Sequence, residues 1–181
     1  ATIAAAVASL SLFALPTLMD RAMQSRIAND RLHDVRIPMM DIELTPADCD
    51  SLAALPGVAA IESRTTYFGE VRIGDRREDL VLVGVRDFAS QQVNVVELQQ
   101  GEVPSGDGVL SDAENASSGR LKPGAVATLQ VEDNSGQLHE VSLSGVGRTL
   151  QYSQEAFEGS VVLYASQETV NRIAGARGVN S

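Results

Sequence analysis

From Ala1 to Met19 the chain carries no charged residue. As a helix that stretch would be about 28 Å long at ~1.5 Å per residue, against a bilayer hydrocarbon core of about 30 Å. It is rich in Ala and Ser, so its insertion signal is moderate. A secretory leader would need a basic start, and none is present. A buried soluble helix would show a polar face, and Ala1–Leu15 shows almost none. The end of a transmembrane helix fits best. After Asp20 the pattern turns amphipathic: Leu15, Leu18, Met19, Ala22, Met23 and Ile27 recur at helical spacing, with Arg21, Arg26, Asp30 and Arg31 as the solvated side. The greasy helix thus continues as a stalk, with Pro16 placed to kink it near the membrane surface. The plainer alternative is a dimerising N-terminal helix on a soluble protein.

Composition removes several function classes. The 181 residues, 44% of them hydrophobic, suffice for one domain or one domain with an appendage. The formal net charge of -10 repels phosphate backbones, which argues against nucleic acid as a partner. Aromatics at 4% with no Trp leave no base-stacking platform. The single cysteine, Cys49, excludes an intrachain disulfide and a multi-cysteine zinc site. It reads as a small, partly buried residue on a short helix, and the flanking Asp48 and Asp50 would repel a thiolate nucleophile.

Past His33 the signals are short and mixed. Val35–Leu44 reads as an edge or bulged strand with Pro38 at the irregularity. Thr45 is a helix cap, Pro46 suits the first helical position and Asp48 the first turn. That helix is expected to bury Leu52 and Leu55, to end at Pro56-Gly57, and to lead into a strand over Val58–Arg64, giving a β-α-β unit. The pattern returns near the end. Val161–Ala165 is a strand, Ser166 caps a helix with Glu168 in its first turn and Val170 and Ile173 on its apolar side, and Gly175 closes it. By analogy with Gly57-Val58, another element is expected to start around Gly178, so the segment reads as cut mid-domain at both ends. Between these units lie two hairpins, Tyr67–Ile73 with Leu80–Val85 around Gly74-Asp75, and Val126–Val131 with Gln137–Leu143 around Asn134-Ser135-Gly136. A short helix, Ala113–Ser118, is capped by Asp112, and Leu121-Lys122-Pro123-Gly124 forms a turn.

Reactive constellations are missing. His33 and His139 are the only histidines and have no spacing to a third ligand. Asp48-Cys49-Asp50 resembles the opening of a calcium loop but lacks its glycine and terminal glutamate. Neither Gly106-Asp107-Gly108 nor Gly145-Val146-Gly147 continues into a dinucleotide fingerprint. No Walker loop or G-x-S-x-G elbow occurs. Asn115-Ala116-Ser117 matches a glycosylation sequon. No catalytic, cofactor-binding or metal-binding residue is assigned, and no enzyme activity is expected.

The order of motifs resembles the extracytoplasmic domain of ABC-transporter permeases of the macrolide-exporter, lipoprotein-releasing and cell-division type, the MacB-like periplasmic core of FtsX-like permeases. After the apolar helix and stalk (Ala1–Arg31), Leu55-Pro56-Gly57-Val58-Ala59-Ala60-Ile61-Glu62 looks like that family's L-P-G-V segment. Leu82-Val83-Gly84-Val85 looks like its L-V-G-V strand, and Gly101–Pro104 like its G-R-x-P turn. Val109-Leu110-Ser111, Leu121–Gly124, Gly145-Val146-Gly147 and Val162–Gly175 follow in order. Ala125 stands where the family usually has an acidic residue, and Ser63 where it often has proline. The resemblance implies an α+β fold: a split β-α-β body preceded by a long N-terminal helix. Its parts would be residues 1–34 as membrane helix end and stalk, 35–66 with 145–181 as the body, and 67–144 as a β-rich insertion. It also implies no cofactor, an extracytoplasmic location, a dimeric permease with a cytoplasmic ATPase subunit, and an outer partner protein. Motion would pass through the stalks to export substrate, release lipoprotein or signal. The competing expectation is a soluble or membrane-anchored binding module.

Overall fold

A computed structural model of the protein describes residues 19–25, 27–29, 31–39, 44–119, 121, 128–151, 159–176 and 179. The charge-free Ala1–Leu18 with Pro16, positions 40–43 of Val35–Leu44, the Lys122–Gly124 turn and, apart from Val179, the element expected from Gly178 lie outside them. Residues 19–25 and 27–29 are helical. No helix among the described residues is long and apolar enough to cross a membrane.

Capping chemistry explains three short helices among the described residues. In α1 (Pro46–Ala53) Thr45 and Asp48 form a reciprocal box: the Thr45 hydroxyl accepts from the Asp48 N–H at 3.3 Å, and the Asp48 carboxylate accepts from the Thr45 N–H at 2.8 Å. Those bonds, led by the Thr45 hydroxyl's own donation to the carboxylate, hold Asp48 below the usual carboxylate range. The next helix, α2 (Ala113–Ser117), starts behind Asp112, and α3 (Gln167–Ala174) behind Ser166. Gly175 ends α3 in the left-handed region, at φ 67°.

Two expectations from the sequence fail around α1. Leu55 is 51% exposed rather than buried, because α1 stops at Ala53 before reaching it; Leu52 is half-buried, and Cys49 is the buried residue of the helix. The Val58–Arg64 segment is not a strand, and residues 35–39 are not either. Leu44 alone makes an isolated antiparallel bridge, to Val179. An apolar run such as Val58-Ala59-Ala60-Ile61 fixes extended character but not a ladder partner. Here the buried residues that follow are polar, and side chains satisfy them instead.

The core is a seven-stranded sheet: β1 (Thr66–Ile73), β2 (Arg76–Val85), β3 (Glu97–Gly101), β4 (Gly108–Asp112), β5 (Thr128–Glu132), β6 (Leu138–Arg148) and β7 (Val161–Ser166). The order is β3-β6-β4-β7-β2-β1-β5, and β5 pairs again with β6. Six strands therefore close into a circuit, and β3 lies outside it. Pairings are antiparallel except β2–β7 and β4–β6. Both predicted hairpins form. Gly74-Asp75 is the two-residue link between Ile73 and Arg76, with Gly74 at φ 60°. In the second hairpin, Asp133 accepts from the backbone of Ser135 and Gln137 and from His139 Nε2.

Inside the circuit pack Leu80, Leu82, Val109, Leu129, Val131, Val141, Val161 and Leu163, joined by Val170 and Ile173 of α3. The outer face of β2, β4 and β7 is buried too. Val81, Val83, Leu110, Val162 and Tyr164 form a second core with Val96 and Phe88 from the 86–96 connection. Burial on both faces is why β2 and β7 read as continuous apolar runs. The second core needs Gly147 bare, since a Cβ there would come within 2.9 Å of Val96 and 3.1 Å of Leu110.

Candidate functional site

Where β1 begins and β2 ends, polar side chains fasten the N-terminal segment to the sheet. Arg64 is 3% exposed. Its Nη2 donates to the carbonyl oxygens of Val93 (3.1 Å) and Asn94 (2.8 Å) and to Gln91 Oε1 (3.4 Å). A guanidinium withdrawn from water needs this density of acceptors. Gln91 in turn binds Val96 on both backbone groups, at 2.9 and 3.2 Å, as a paired strand would. Arg86 reaches Ser63 Oγ at 2.7 Å, and Glu62 accepts from the Gln92 N–H. The 86–96 connection is thereby clamped on residues 62–64.

Asn94 is the joint of this clamp. It is buried and holds a left-handed φ of 50°, a conformation that asparagine tolerates better than most residues. Its N–H donates to the Arg31 carbonyl at 2.9 Å, and its Oδ1 accepts from the His33 N–H at 3.1 Å. His33 Nδ1 lies 2.9 Å from the same oxygen and donates to it in the tautomer protonated there. The segment just past the N-terminal helix is thus hydrogen-bonded to a residue carried by the sheet. On the exit side, Leu44 and Val179 exchange backbone bonds at 3.0 and 3.5 Å, which brings the entering and leaving chain together.

A second buried polar pair lies between β4 and β7. Tyr164 donates to Asp112 Oδ2 at 2.7 Å, while Asp112 Oδ1 accepts from the Glu114 N–H at 2.9 Å. Burial pushes the Asp112 carboxyl up from its ordinary range, and these bonds work against that. In the first turns of α3, Thr65, Gln167 and Asn171 bond to one another, and Thr169 reaches the Gly106 carbonyl at 2.7 Å.

The residues singled out in the sequence are scattered. His33 sits at the Asn94 joint and His139 in the Asp133 turn. Cys49 is buried on α1 and free. Asn115 is buried, and its Nδ2 donates to the Val162 carbonyl, so the sequon's amide is already committed. Among the described residues no group of three or more His, Cys, Asp or Glu side chains is placed to hold a metal ion. Arg64, Gln91, Asn94 and the Asp112–Tyr164 pair carried no sequence signal beyond Asp112's cap role.

No protein-family model matches the chain, and no curated protein matches it. Solved structures do. One is the crystal structure of the extracellular domain of the noncanonic ABC-type transporter YknZ from Gram-positive bacteria, at TM-score 0.52 and 14% identity, covering 76% of this chain and 70% of that one. Another is the periplasmic region of MacB from Actinobacillus actinomycetemcomitans, at TM-score 0.52 and 15% identity, covering 77% of this chain and 63% of that one. The chain shares its fold with these two extracytoplasmic domains. The shared fold is α+β, as the motif order implies, and at the Asn94 joint the N-terminal segment of this chain meets the connection between β2 and β3.

Proposed function

We propose that this chain is the extracytoplasmic domain of an ABC-transporter permease. It couples cytoplasmic ATP hydrolysis to substrate export, lipoprotein release or signalling by changing shape. The fold likeness to the YknZ and MacB domains carries this reading. The Asn94 joint supports it, because it fastens the segment next to the proposed stalk to the connection between β2 and β3, and the Leu44–Val179 bridge ties the entering chain to the leaving chain. Displacement of a stalk would then be felt by the sheet as a unit. In this reading the domain performs no bond chemistry. Its partners are the permease's second copy, a cytoplasmic ATPase subunit, the membrane, and a protein on the outer side.

The test has two arms. The complete reading frame is expected to carry a returning stalk and about three further apolar spans. In intact cells, a Leu98→Cys variant with Cys49→Ala is expected to react with a membrane-impermeant maleimide. A freely diffusing polypeptide, or labelling only after lysis, overturns the proposal.

A further inference from the structure

The strand outside the circuit, β3, pairs only with β6 among the described residues, and all five of its residues are exposed. One row of its backbone N–H and C=O groups therefore faces outward. Sheet edges of this kind are usually blunted by lysine, proline or a covering element, because they recruit other strands. Glu97-Leu98-Gln99-Gln100-Gly101 contains neither lysine nor proline.

This edge is also held still. Immediately before it, the Gln91 amide bonds both backbone groups of Val96. Immediately after it, the Glu102 N–H donates to the Ser144 carbonyl at 3.1 Å. Along it, β6 presents bare Gly145, where any Cβ would collide with the Gln100 carbonyl oxygen. An edge fixed at both ends loses little further freedom when another strand pairs with it.

Charge says which strand. From Asp87 to Asp107 there is no Lys, Arg or His, and four acidic residues occur. Asp107 is ion-paired to Arg172. Glu97 stands opposite Arg148 in the ladder. Glu97 on the edge and Glu102 just beyond it are both exposed, and Leu98 (38%) and Val103 (52%) offer apolar contact between and beside them. A second copy is a poor occupant, since each chain carries a net charge of -10 and two copies repel.

We propose that β3 is a docking edge that accepts an extended, lysine- or arginine-bearing segment of a protein partner by strand addition. This deepens the outer-partner element of the proposed function but stands on the edge alone. Its test reads no transport, so its failure leaves the permease reading untouched.

The probe is a short synthetic peptide alternating valine and lysine, added to the chain in detergent solution. Hydrogen exchange of the outward β3 amides is expected to slow at least about tenfold. Alternate N-methylation of the peptide is expected to abolish that protection, because it removes the ladder donors and keeps the charge. A valine–glutamate peptide should not bind, and Glu97→Lys with Glu102→Lys should weaken the lysine peptide at least about tenfold. The proposal is overturned by any of three results: no protection over Glu97–Gly101, binding indifferent to N-methylation, or a concentration-dependent dimer protecting the same amides.

Discussion

Replacing Tyr164 by Phe tests the buried polar pair behind the sheet without altering its packing. The ring is fully buried among Val83, Leu110 and Val162, and phenylalanine fills the same space. Only the hydroxyl is lost, and with it a 2.7 Å bond to a carboxylate that is 4% exposed. A hydrogen bond to a charged, desolvated acceptor is worth about 1.5–3 kcal/mol. At about 2–4 °C per kcal/mol for a chain of this size, Tm should fall by about 3–12 °C. The pH dependence is sharper still. Burial raises the Asp112 carboxyl, so the folded state holds that proton more tightly than the unfolded state. Stability from this group therefore falls as pH rises from the ordinary carboxylate value, about 3.9, through the raised folded value. Tyr164→Phe removes a bond that opposes the rise, so its deficit is full at neutral pH and narrows on acidification. Urea unfolding followed by circular dichroism at several pH values measures this, with an unchanged m-value as the control. In an Asp112→Asn background the same change should cost about 1 kcal/mol or less. A neutral-pH deficit under about 0.5 kcal/mol, or one that widens in acid, would refute the reasoning.

Three further outcomes are expected. Arg64→Met should cost about 3 kcal/mol in chemical denaturation, since the Val93 and Asn94 carbonyls lose a charged donor, and amide exchange in the 86–96 connection should accelerate; an unchanged exchange pattern would remove Arg64 from the clamp. Asp133→Asn should lower Tm at neutral pH, because hydrogen bonds led by His139 hold the Asp133 carboxyl well below its usual range; its stabilisation is present above about pH 4 and fades as pH falls toward the folded value, so variant and parent should converge in acid. Leu44→Cys with Val179→Cys, in a Cys49→Ala background, should oxidise readily, since a hydrogen-bonded antiparallel pair sets Cα atoms about 5.5 Å apart, within disulfide range; failure to cross-link under mild oxidant would contradict the bridge.

What could be read from the residues alone was chiefly local. Thr45, Asp112 and Ser166 cap helices because a short side chain reaching its own backbone is a property of a few adjacent residues. Gly74-Asp75 and Gly136 mark turns for the same reason. The Val161–Ala165 strand and the Val170/Ile173 face followed from periodicity. The failures were long-range. Val58–Arg64 has the composition of a strand, yet nothing in it tells that Arg64 reaches the 86–96 connection. The strand β3 has one apolar residue in five and gives no alternation to detect; β6 dictates its existence. The Asn94 joint unites residues 61 apart in sequence and rests on an asparagine that looks like any loop residue.

The position of β7 bears on how the protein is made. It lies between β2 and β4, yet it is the last of the seven strands to leave the ribosome. Until it arrives, β2 and β4 each lack a neighbour and two apolar faces stand open to water, so the sheet cannot zip up vectorially as the nascent chain emerges. Completion must wait for a central insertion, and during that wait the half-made molecule depends on a holding chaperone or on its own solubilising acidity.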